Sequence, residues 1–166
     1  MEAVRPASID DAAVLGELVA ACRAELEGRR GGRLWSVHEA DPDLAGTLVA
    51  ALGDKDWRIV VGTWCDVVVA AGAVRRIPLR DGSTLGVVEL LHVDAEFREV
   101  SVGEVVMDDL LDWARAAGCR AVDALALPGM RETKNFFERF GMKARALRIA
   151  IDLDDPSETG EGDDEP

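Results

Sequence analysis

The chain has 166 residues, 48% of them apolar, and a formal charge of −13; that is enough for one sizeable core and too little for two comfortable domains. The eight acidic residues from Asp152 onward leave −5 to residues 1–151, and a mildly acidic body argues against nucleic-acid binding, which needs basic patches to neutralise phosphates. No apolar run approaches the ~20 residues of a membrane helix, and the first five residues lack the charged and apolar regions of a secretory signal, so the expectation is a soluble cytoplasmic protein with no membrane partner.

In chain order, residues 3–6 read as a first strand. Ser8 with Asp11 three residues on resembles a capping pair, and Ala12, Leu15, Leu18, Val19, Cys22 and Leu26 then mark one apolar helical face, ended by the glycine-rich residues 28–32. A segment with Leu34, Trp35, Val37 and His38 leads to Asp41-Pro42, an N-cap followed by proline, which predicts a second helix to about Leu52. Trp57–Trp64 and Val67–Pro78 are rich in β-branched residues and joined at Cys65-Asp66, a hairpin signature. Residues 80–83 contain Asp-Gly, the next turn, and residues 86–93 form the third antiparallel strand. Residues 102–117 have helical spacing at Val102, Val105, Val106, Leu110, Trp113 and Ala114. A strand over 121–127, a stop at Pro128-Gly129, a helix over about 131–140 and a last strand over 143–153 complete the series. This order predicts a single α/β domain with a mixed sheet over residues 1–153, followed by a disordered acidic tail over 154–166. Cys22, Cys65 and Cys119 are an odd number at wide spacing, which predicts free thiols and no metal site.

The stretch from Gly86 to Glu104 organises the rest. A strand breaks into a tight loop, Phe97-Arg-Glu-Val-Ser, which feeds a helix. A helix start offers N–H groups without intrahelical partners and a partial positive charge, so such a corner can cradle a phosphate. Arg98 supplies a charge and Gly103 a point of close backbone approach.

Val93-Asp-Ala-Glu-Phe-Arg98 followed by Ser101-Val102-Gly103 resembles the acetyl-CoA motif of the GNAT N-acetyltransferase superfamily, usually V-x-P-x-[YF]-R and then G-x-G. Residues 134–142, Lys-Asn-Phe-Phe-Glu-Arg-Phe-Gly-Met, resemble that family's F-Y-E-x-x-G-F signature. The predicted order β-α-α-β-β-β-α-β-α-β fits the GNAT-like fold. The resemblance implies an enzyme that uses acetyl-CoA as co-substrate, without a metal, and an amine-bearing acceptor, either a small molecule or a protein; it also makes a homodimer an expectation. It implies that the backbone of Leu91, His92 and Val93 pairs with the pantetheine arm. The amides of Glu99, Val100, Ser101, Val102, Gly103 and Glu104 would hold the pyrophosphate beside Arg98. It further implies that the region after the first helix borders the acceptor, which makes Trp35 and His38 candidate contacts.

An alkyl ammonium with pKa ~10.4 must lose a proton before it attacks a thioester. Glu89 and His92 are the candidate bases, with Glu89 favoured. Regular strand alternation puts Glu89 on the face of Leu91 and Val93 and His92 on the other, so both reach one site only if the strand is bulged. A plain alternative has Glu89 pairing with Arg75 or Arg76. Phe137 stands where the family commonly has the tyrosine that protonates the leaving thiolate, and the chain contains no tyrosine. Met130 and the non-glycine Glu99 and Ser101 also depart from the family pattern. Together these leave a second reading open, a degenerate acetyl-CoA-binding or regulatory module. The absence of G-x-G-x-x-G after a strand sets aside a nicotinamide Rossmann enzyme.

Overall fold

The structure, a computed structural model, describes residues 1–154, so the expected acidic tail lies almost wholly outside the described residues. The chain divides into two compact units, Met1–Gly129 and Met130–Pro166. The first unit contains β1 (Glu2–Pro6), a 3-10 turn, α1 (Ala12–Glu27), α2 (Gly32–His38), α3 (Leu44–Ala50), β2 (Trp57–Trp64), β3 (Val67–Pro78), β4 (Thr84–Val93), a second 3-10 turn, α4 (Val102–Ala116) and β5 (Ala121–Asp123). The strands lie in the order β1-β2-β3-β4-β5, antiparallel except for the parallel β4–β5 pair. The result is a mixed α/β fold with a five-stranded sheet.

The sheet is covered on both faces. Leu15 and Leu18 of α1 and Leu48 of α3 pack on Ile59, Val61, Ala71, Ala73 and Leu90. On the opposite face Val102, Val106 and Leu110 of α4 pack on Val60, Val69, Ala70 and Val74. Alternating residues of β2 and β3 thus feed two cores, which is why those strands read as continuous apolar runs rather than as polar-apolar alternation. The β2–β3 hairpin turns at Cys65 (φ 48°) and Asp66 (φ 68°), the two positive angles that a two-residue turn matched to strand twist requires.

The entry to α1 is held by charge. Both terminal guanidinium nitrogens of Arg5, Nη1 and Nη2, donate to Asp11 at 2.8 Å, and the Ser8 backbone N–H donates to Asp11 Oδ2 at 2.8 Å. The Arg5 hydrogen bond is the largest cause that lowers the Asp11 carboxyl to about 2. Because the folded value lies below the ordinary one, this stabilisation is complete above pH ~4 and is lost as pH falls toward 2. Arg5 is half exposed, so solvent screens the pair, and Asp11→Asn is expected to cost about 1–2 kcal/mol at pH 7. Urea denaturation at pH 7 and pH 3 checks this: the gap between variant and wild type must narrow at the lower pH.

Four expectations are corrected. The segment holding Leu34, Trp35 and Val37 is not a connector but helix α2. Arg23 of α1 donates to the carbonyls of Ser36 (2.9 Å) and Asp41 (3.1 Å), so the end of α2 is capped from another helix, a signal no local pattern carries. The cap of α3 is Asp43, which accepts from the Gly46 N–H; Asp41 instead accepts from Asp43 N–H and the Thr47 hydroxyl. Strand β5 ends at Asp123 rather than at residue 127, because its ladder with β4 stops at Val87↔Asp123. In the second unit, α5 (Arg131–Arg139) forms as expected, but residues 143–153 form no strand. Leu147, Ile149, Ile151 and Leu153 keep the period of two while standing 67–90% exposed; apolar alternation makes a strand only where a neighbour completes the ladder. Among the described residues no helix is long and apolar enough to cross a membrane.

Candidate functional site

The site grows from an irregularity in β4. Ala73 faces Leu90 across the ladder and Val74 faces Val88, so Glu89 is an extra residue in β4. The bulge shifts the alternation by one: Val88 packs into the α4-side core, while Leu90 packs into the α1-side core. Regular alternation had put Glu89 on the face of Leu91 and Val93, and the bulge overturns that. Glu89 Oε1 accepts from Arg75 at 2.8 and 3.0 Å, and Arg75 lies over Trp57, which packs against the α1-side core. His92, two residues past Leu90, faces α1 as well. The bulge therefore puts Glu89 and His92 on one face of the sheet.

A cleft of about 410 Å³ opens there between α1 and the end of β4. Glu17, Leu18 and Glu25 line it from α1, and His92, Asp94 and Arg98 from β4 and the turn that follows. His92 is 8% exposed, its Nδ1 4.0 Å from Glu25 Oε2. Its pKa is lowered, chiefly by burial and then by the Arg98 charge, with Glu25 and Asp94 opposing. The imidazole is therefore neutral at pH 7 and able to take a proton. Arg98 donates to both Glu25 oxygens, at 2.6 and 3.2 Å, and through Nε to the Val93 carbonyl at 3.2 Å. That pairing is the largest cause holding the Glu25 carboxyl below its ordinary range. Cys22, one turn before Glu25, has its thiol pushed up to about 11, first by burial, so it is no nucleophile.

Glu89 does not line this cleft; its carboxylate is held by Arg75, the plain alternative read from the sequence. Trp35 is half-buried and His38 exposed on α2, and neither lines the cleft. Phe137 lies on α5 of the second unit, buried, with its ring 5.7 Å from Phe136 at 73°. Glu17, Glu25 and Asp94 were not singled out from the sequence. They are scattered acids on a helix face and a turn, and only the fold brings them to His92.

Beside the cleft, β4 has a bare edge. Its pairing with β5 covers Leu85, Gly86 and Val87, and from Val88 to Val93 no strand among the described residues pairs with it on that side. The Asp94 N–H donates to the Val69 carbonyl of β3, so by antiparallel alternation Leu91 and Val93 turn their N–H and C=O groups to the bare edge, where the Val93 carbonyl already accepts from Arg98 and the N–H groups can pair with an extended ligand. The edge leads through the turn into α4, whose first turn contains Val102, Gly103 and Glu104 and is preceded by exposed Arg98, Glu99 and Ser101 and half-buried Val100. A bare strand edge running into a helix start fits a long ligand that has an amide-bearing arm and an anionic end. The fit rests on main-chain groups, since the nearby Glu99 and Glu104 carry the opposite charge from the one a phosphate needs.

The family model for the acetyltransferase (GNAT) family matches residues 17–142. The chain belongs to the GNAT family. No curated protein sequence matches it, but solved structures share the fold. Glucosamine-6-phosphate N-acetyltransferase from Arabidopsis thaliana aligns with a TM-score of 0.63 at 22% identity, covering 92% of this chain and 99% of that one. Ribosomal-protein-alanine N-acetyltransferase from Brucella melitensis biovar Abortus aligns at 0.64 and 15%, over 92% and 99%. A predicted acetyltransferase from Clostridium acetobutylicum, solved with acetyl-CoA, aligns at 0.68 and 12%, over 92% and 97%. At these identities the likeness establishes the GNAT fold, and the chemistry has to be argued from the site.

Proposed function

We propose that this protein is an N-acetyltransferase that moves an acetyl group from acetyl-CoA to a primary amine. The observation that supports it most is the bare edge of β4 beside His92, which sets main-chain donors and a neutral imidazole around one point. Acetyl-CoA supplies the acetyl thioester. The free N–H groups near Leu91 to Val93 orient the thioester arm and stabilise charge as it builds on the carbonyl oxygen, a contribution worth about 3–4 kcal/mol per donor in known oxyanion holes. The start of α4 and Arg98 hold the phosphates. His92 takes the proton from the acceptor ammonium, and Glu17 and Asp94 draw the cation into the cleft. With Phe137 carrying no acidic proton, the thiolate leaves unprotonated or is protonated by solvent.

Release of free CoA thiol from acetyl-CoA, measured against a panel of primary amines with and without the protein, tests the reading. Amine-dependent release is expected; tight acetyl-CoA binding with no release for any amine would leave only the binding-module reading, which the substitution at Phe137 favours.

A further inference from the structure

Glu25 stands where two sites meet. Its carboxylate takes two hydrogen bonds from Arg98, which belongs to the anion corner, and its Oε2 lies 4.0 Å from the His92 ring in the acceptor cleft. Arg29, just past the end of α1, is 3.9 Å away. As it stands the arrangement is self-limiting: the cation best placed to meet a phosphate is occupied, and so is the carboxylate best placed beside His92. Arg98 is 40% exposed and Glu25 28%, so neither end is locked into a core, and an exposed ion pair is held by only ~0–1 kcal/mol. A pyrophosphate offers Arg98 more charge than one carboxylate does.

We propose that Glu25 is a positioning residue shared by the two substrate sites: it holds Arg98 while the anion corner is free, and turns to His92 and the acceptor ammonium when Arg98 moves to the phosphates of CoA. The inference rests on the acetyltransferase reading above. No bond is made or broken; one charged hydrogen-bond partner is exchanged for another. Two consequences follow. The acceptor binds better after acetyl-CoA than before it, and by linkage the acceptor strengthens CoA binding by the same factor. The groups around His92 also change: Arg98, which disfavours its protonation, withdraws, while Glu25, Asp94 and Glu17 remain.

Calorimetric titration of CoA into wild type, Glu25→Gln, Arg98→Gln and the double variant tests this without any turnover. Glu25→Gln removes the competitor for Arg98 and is expected to tighten CoA binding at least threefold, whereas in the Arg98→Gln background the same change is expected to alter it less than 1.5-fold. Unchanged or weaker binding in Glu25→Gln overturns the proposal, and so does equal tightening in both backgrounds, which would mean a general charge effect without exchange. If wild type binds no CoA at all, the acetyltransferase reading falls as well; CoA binding without the Arg98-dependent gain overturns the exchange alone. Thermal melts of the four proteins identify any variant that fails to fold. Should Glu25→Gln fail to fold, Glu25→Ser in its place reads the same competition, since it also removes the carboxylate, and should Arg98→Gln fail, Arg98→Met serves as the charge-free background.

Discussion

Replacing His92 by glutamine is expected to lower kcat by about 10²–10³-fold, in the range that general base catalysis contributes, or roughly 3–4 kcal/mol of transition-state stabilisation. Among the described residues His92 is the one titratable side chain that is both nearly buried and part of the cleft lining, and burial together with Arg98 favours its neutral form. A base works when deprotonated, so a lowered pKa keeps it ready at pH 7, and rate is lost only as pH falls through a value below the ordinary 6.5. The wild-type kcat/KM profile, which reports the free enzyme, should carry an acid limb below that value, and His92→Gln should abolish the limb along with most of the rate. Glu89→Gln, by contrast, frees Arg75 on the sheet surface and should change kcat less than fivefold. If Glu89→Gln removes the activity and His92→Gln keeps it, the base is Glu89.

The second large effect is structural. Gly72→Leu is expected to destabilise the protein by about 3 kcal/mol, at the upper end of the usual cost of overpacking a core. A Cβ at Gly72 would lie 2.5 Å from Val106 Cγ1 and 3.0 Å from Leu110 Cδ1. Both belong to fully buried residues of α4, and the stiff, β-branched Val106 has no free end to swing aside. Gly62 is similar, with Val102 and Val106 methyls each 2.8 Å from a built Cβ. These two glycines let α4 lie close on β2 and β3, and that closeness sets its first turn beside the end of β4. Gly72→Leu should therefore lower the melting temperature by several degrees and weaken CoA binding in what remains folded. Gly16→Ala is the matched control: nothing lies within 4 Å of its added Cβ, and in a helix the change is worth about 0.5–1 kcal/mol of added stability. An unshifted melting temperature for Gly72→Leu would mean that α4 packs more loosely than described.

What could be read from the sequence and what could not divide along a physical line. Strands β2 and β3 were legible to the residue because their β-branched runs are bounded by turn residues. Helix α4 was legible because its apolar residues recur at helical spacing. The bulge at Glu89 was legible only as a condition, since apolar residues on both sides of it hide a change of face. Helix α2 was not legible, because Arg23 secures its end from another helix. The last strand was misread because the alternation over residues 143–153 says nothing about whether a partner is present. At the site, Arg98 announced itself within a motif, but Glu25 lies 73 positions from it and sits among other polar residues of α1. Only folding makes Glu25 the neighbour of Arg98 and His92.

On the reading proposed above, acetyl-CoA lies along the bare edge of β4 and ends at the start of α4. Amide hydrogen exchange with and without acetyl-CoA tests it most directly, because those contacts are made by main-chain N–H groups. Added protection is expected within residues 91–93 and 99–104, with little change in β1 and β2. Protection confined to other elements, with residues 91–104 exchanging as fast as in the free protein, would contradict it.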